Sequence, residues 1–75
     1  MERLPILSGA RLIKILANFG YRIDRQRGSH IRLKAEGRRP VTVPDYKTID
    51  RSLLKKILHQ ANIDTEDFLN SFRKR

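Results

Sequence analysis

One histidine set among cations is the feature of this chain most able to do chemistry. His30 stands in a stretch that also holds Arg22, Arg25, Arg27, Arg32, Lys34, Arg38 and Arg39, opposed there only by Asp24 and Glu36. An imidazole changes protonation near neutral pH, so it can take a proton from a hydroxyl or return one to a leaving oxygen without help from a metal. Guanidinium and ammonium groups beside it would stabilise the negative charge that builds up on a phosphorane-like transition state. RNA suits such a set, because a ribose 2′-hydroxyl can attack the adjacent phosphodiester and leave a 2′,3′-cyclic phosphate, whereas DNA lacks that nucleophile. Considered alone, a histidine at the start of a strand is more often ordinary polar surface. The residues by themselves leave both readings open.

The whole chain leans the same way. Seventeen Lys and Arg against eight Asp and Glu give a formal charge of +9 over 75 residues, an imbalance that attracts polyanions. Clustering of the excess in the centre favours a binding face over general solubilisation. The competing reading is a basic surface that docks on an acidic protein. The chain has no cysteine, which removes a disulfide framework and a thiolate metal site and fits a reducing, cytoplasmic setting. Two histidines, His30 and His59, without a carboxylate cluster do not make a zinc site, so no metal or other cofactor is expected. Gly9 and Gly20 do not form a phosphate loop, and no Ser-His-Asp set can be argued from spacing. Apolar runs are too short to span a bilayer, and Met1–Glu2–Arg3 leads into a helix rather than a signal peptide, so no membrane partner is expected.

Elements that must position these residues follow from periodicity. Repeats, low-complexity tracts and linkers are lacking, and residues 1–75 read as a single domain with a small core. Ser8 caps a first helix, with Leu7 and Leu12 placed as a hydrophobic staple and Gly20 as the stop. Leu12, Ile13, Leu16 and Phe19 mark its apolar face, and Arg11, Lys14 and Asn18 its polar one. The period then switches to alternation: Tyr21 and Ile23 point to a core while Arg22 and Asp24 point away, as in a half-buried strand. After a turn at Arg27–Gly28–Ser29, Ile31 and Leu33 face the core and His30, Arg32 and Lys34 the opposite side. Glu36–Gly37 turns the chain into a third strand with Val41 and Val43, closed by Pro44. A second helix runs from the cap Asp50 through Leu53, Leu54, Ile57, Leu58 and Ala61 to a left-handed Asn62, and a third starts at the cap Thr65, runs through Phe68, Leu69 and Phe72, and ends in the basic tail Arg73–Lys74–Arg75. The expected fold is an α+β two-layer sandwich, a three-stranded antiparallel sheet with two main helices on one face. Arg22, Asp24, His30, Arg32, Lys34 and Thr42 should occupy its open face.

Gly28–Ser29–His30 following a basic strand, itself preceded by a helix ending in Asn18–Phe19–Gly20–Tyr21, resembles the corresponding segment of HicA toxins. Val41–Thr42–Val43–Pro44 looks like that family's third strand, and Leu53 through Ile63 like its second helix and the turn beyond. The resemblance runs from about Leu4 to Leu69. It implies a fold similar to double-stranded RNA-binding domains and a metal-independent messenger-RNA endonuclease, the toxin of a type II toxin–antitoxin system, neutralised by a HicB-like antitoxin with which it forms a hetero-oligomer. His30 takes the catalytic place by motif position, Gly28 shapes the turn that presents it, and Ser29 can hold the imidazole or a phosphate. Arg22, Arg25, Arg27, Arg32, Lys34, Tyr46 and Lys47 are the remaining candidate RNA contacts. One departure stands out: many relatives carry a histidine soon after the Val-Pro of strand three, whereas this chain reads Val43–Pro44–Asp45–Tyr46–Lys47. The alternative is therefore a module of the same fold that binds RNA without cutting it.

Overall fold

The computed structural model describes residues 3–74, so Met1, Glu2 and the last residue of the basic tail, Arg75, lie outside the described residues. Six elements follow in order: α1 (Gly9–Ala17), β1 (Arg22–Arg27), β2 (His30–Ala35), β3 (Arg38–Pro44), α2 (Arg51–Ala61) and α3 (Thr65–Arg73). The strands form one antiparallel sheet in the order β1-β2-β3. This is the α+β arrangement that the alternating and helical periods imply.

Local chemistry accounts for the boundaries. Ser8 is extended, and its hydroxyl accepts the otherwise orphaned Arg11 N–H at 3.1 Å. Asp50 does the same for Leu53 N–H at 2.8 Å, and Asn62 ends α2 in the left-handed conformation, φ 56°. Two boundaries differ from expectation. Helix α1 stops at Ala17, because Asn18, Phe19 and Gly20 form a tight turn bonded back to Ile15, Leu16 and Ala17. Helix α3 is capped one residue earlier than expected, at Asp64, so Thr65 is its first helical residue; Glu66 and Asp67 in its first turn complement the helix dipole.

A continuous core joins all three helices to one face of the sheet. Leu12 and Leu16 of α1, Leu33 of β2, Val43 of β3, Leu54 of α2 and Phe68 of α3 have no solvent exposure. Each such side chain contributes about 1.5–3 kcal/mol relative to the same group left exposed. Ile15 of α1 is buried, whereas Ile13 and Phe19 are only partly so. The reason is that α1 packs between the sheet and α3. On the α3 side Asn18 Nδ2 donates to Ser71 Oγ at 2.8 Å and the Arg11 guanidinium lies 4.7 Å from the Phe72 ring centre.

Strand β1 is a correction to the expected half-buried strand, since all six of its residues are exposed. Ile23 lies opposite the fully buried Leu33, yet 55% of its own surface is exposed. Helix α2 packs on β3 at the other edge of the sheet, and α1 touches β1 without burying any of its six residues. Tyr21, just ahead of the strand, is packed as expected. Its hydroxyl donates to Arg39 O at 2.7 Å, and burial raises its pKa above the ordinary 10.0, against a lowering pull from Arg38.

Candidate functional site

The open face of the sheet is set by cross-strand register. Arg22 lies opposite Lys34, Arg25 opposite Arg32, and Arg27 opposite His30. Residues paired this way project on the same side, so five cations, Arg22, Arg25 and Arg27 of β1 with Arg32 and Lys34 of β2, share that side with His30. Strict alternation from Arg22 would send Arg25 and Arg27 to the helix side. They are turned outward by a β-bulge between Ile23 and Arg25, in which Asp24 is the extra residue. On the far side of β2, Thr42 lies opposite Arg32 and Pro44 opposite His30.

Electrostatically this face is at odds with its own stability. Three cross-strand positions oppose cation to cation, or cation to histidine, and like charges placed directly opposite destabilise a sheet. Asp24 moderates the repulsion from within the bulge, its carboxylate 3.9 Å from Arg32 Nε and 3.7 Å from Lys34 Nζ. Arg32 Nε is shielded from solvent and makes no hydrogen bond. A row of crowded cations is a surface that attracts an anion laid across the strands.

The histidine end of the sheet is organised by main-chain contacts. Gly28 and Ser29 form a two-residue turn between β1 and β2, with Gly28 at φ +60°, which favours glycine. Gln26 Nε2 donates to Gly28 O at 2.9 Å. Beyond Pro44, Asp45 N–H donates to Ser29 O at 2.6 Å, and Gly9 N–H, at the start of α1, donates to Tyr46 O at 2.8 Å. A Cβ on Gly9 would collide with the Pro44 carbonyl oxygen. The hairpin turn, the loop after β3 and the beginning of α1 therefore meet beside His30.

Of the residues picked out in the sequence, Arg22, Arg25, Arg27, Ser29, His30, Lys34, Tyr46 and Lys47 are exposed, and Arg32 is half-buried. The first six and Arg32 lie on the open face or its turn, while Tyr46 and Lys47 flank the His30 end. His59 is exposed on α2, away from this face. Gly9 and Asp45 escaped the sequence reading. A glycine in the first helical turn, where alanine is the better helix former, is the signal for Gly9; the role of Asp45 runs through its backbone and leaves no trace in residue type. Among the described residues no three His, Cys, Asp or Glu side chains cluster as metal ligands do, and no helix is long and apolar enough to cross a membrane.

The class of protein is shown by a family model, described as the HicA toxin of bacterial toxin–antitoxin systems, which matches residues 9–63, from the first residue of α1 past the end of α2. The chain belongs to the HicA toxin family. That membership gives it an antitoxin as partner. No curated protein and no solved structure matches the chain.

Proposed function

We propose that the protein is a metal-independent RNA endonuclease, a messenger-RNA-cleaving toxin in which His30 is the proton carrier. The carrying observation is the placement of the His30 imidazole on an exposed face, directly opposite Arg27 and on the same strand face as Arg32. RNA lies across the cation row, with phosphates against Arg22, Arg25, Arg27, Arg32 and Lys34. His30 removes the 2′-hydroxyl proton, O2′ attacks the adjacent phosphorus, and the P–O5′ bond breaks. The products are a 2′,3′-cyclic phosphate and a 5′-hydroxyl, the latter protonated by water or by Lys47. The arginines stabilise the extra charge of the pentacoordinate transition state. Ser29 supports the imidazole or a phosphate, and Tyr46 offers a ring for base stacking. A HicB-like antitoxin silences the protein by covering His30 or by occupying the cationic face.

The test is incubation of the purified protein and its His30→Ala variant with end-labelled RNA in chelator. Cleavage by the parent and none by an equally folded variant is the expected outcome; cleavage at the parental rate by His30→Ala refutes the assignment. One observation favours a second reading. The segment Asp45–Tyr46–Lys47 after Val43–Pro44 lacks the histidine that many relatives carry soon after Val-Pro, leaving one imidazole on the described face. A module that binds RNA without cutting it would retard labelled RNA in a gel and leave it intact with or without His30.

A further inference from the structure

Away from the histidine face, two clefts run along α2 and the outer edge of β3 and meet at His59 and Gln60. The larger, about 810 Å³, lies toward Arg38 and Arg39. The other, about 750 Å³, is bounded by Thr42 of β3 and by Ser52, Leu53, Lys55, Lys56 and Ile57 of α2. Leu53 and Ile57 give the second cleft an apolar floor, and Lys55, Lys56 and His59 stand exposed at its rim. Among the described residues none of these three forms a salt bridge.

The strand edge bordering this cleft has its own unmet bonds. β3 pairs with β2 and with no other strand. Main-chain groups alternate direction along a strand, and Asp45 N–H points toward the β2 side, where it meets Ser29 O. The main-chain groups of Val43 and Val41 therefore face β2 as well, and those of Pro44 and Thr42 face out. Pro44, lacking an N–H, leaves no ladder bond unmade in that orientation. Thr42 N–H and C=O are thus offered to the cleft, beside an apolar floor and beneath a cationic rim. An edge strand alongside a helix is the geometry in which a peptide is taken up as an added strand.

From this we infer that the groove receives an extended acidic segment of the antitoxin, paired with β3 through Thr42, with an apolar side chain on Leu53 and Ile57 and carboxylates against Lys55, Lys56 and His59. The identity of the occupant rests on the antitoxin partnership, and the groove itself makes no use of His30. RNA fits less well, since no aromatic ring lines the cleft to stack a base and a phosphodiester has nothing to place on an apolar floor. A second copy of the chain would bring its own +9 charge against the same lysines.

The probe is an end-capped, fluorescein-labelled hexapeptide alternating glutamate with valine or leucine, titrated into the intact protein by anisotropy and by amide chemical shift. Expected are shifts at Thr42, Val43, Lys56 and His59 that spare His30 and Arg32. Binding should weaken about tenfold in the double variant Lys55→Glu, Lys56→Glu, and fall likewise in Thr42→Pro, which removes the outward donor, but not in Thr42→Val, which removes the hydroxyl and keeps that donor; circular dichroism verifies that the variants fold. His30→Ala should bind the peptide as the parent does, so a failure of RNA cleavage leaves this result standing. Shifts confined to the open sheet face, equal binding of a peptide with lysine in place of glutamate, or displacement of the peptide from the groove by a 2′-deoxy-substituted RNA strand would each overturn the inference.

Discussion

Along β2 the side chains alternate between two opposed environments. Ile31, Leu33 and Ala35 are sealed beneath the helices, while His30, Arg32 and Lys34 face outward against Arg27, Arg25 and Arg22. On the covered side Val41 and Val43 of β3 and the buried helix residues of the core add apolar burial. On the open side the β1 neighbours Arg22 and Arg25 add repulsion that, among the described residues, Asp24 offsets. The contrast teaches that one layer of backbone carries two separable tasks: the covered face holds the fold, and the open face is arranged for a ligand at some cost to the fold.

Substitutions can break or sharpen this contrast. The largest effect should come from Leu33→Ala, which empties a fully buried position and costs about 2–5 kcal/mol, enough to unfold much of a small domain; a urea melt that moved little would show that the covered face does not carry the stability. Gly9→Ala comes next. Its new methyl meets the Pro44 carbonyl, and relief of that overlap should cost about 1–3 kcal/mol and speed hydrogen exchange at the Asp45 amide, measured by NMR. Asp24→Asn should be smallest, lowering stability by about 0.5–1 kcal/mol while tightening affinity for a non-cleavable RNA analogue. Loss of both stability and affinity in Asp24→Asn would mean that the carboxylate belongs to the binding face rather than restraining it.

The comparison also explains what was legible in the residues beforehand. Caps at Ser8 and Asp50 and the left-handed Asn62 were readable because each depends on a side chain or residue type acting within its own turn. The phase of β2 was readable for a similar reason, since its two faces differ so strongly in polarity. The facing of β1 beyond Ile23 is not legible, because a bulge reverses everything past it and Asp24 looks no different in sequence when it is the extra residue. The exposure of Ile23 is a tertiary fact, set by where the helices stop covering the sheet. At the candidate site the cations and His30 could be named from the sequence, but the outward turn of Arg25 and Arg27 could not. The contacts of Gly9 and Asp45 run through amide and carbonyl groups that every residue type shares.

That last feature bears on how the protein can change over time. Because the segment after β3 is anchored through the Asp45 amide and the Tyr46 carbonyl, and its side chains from Asp45 to Lys47 stand free of the interior, those three positions are interchangeable without moving the hairpin they abut. New functional groups can be tried next to His30 by ordinary mutation, and the scaffold beneath them need not be rebuilt.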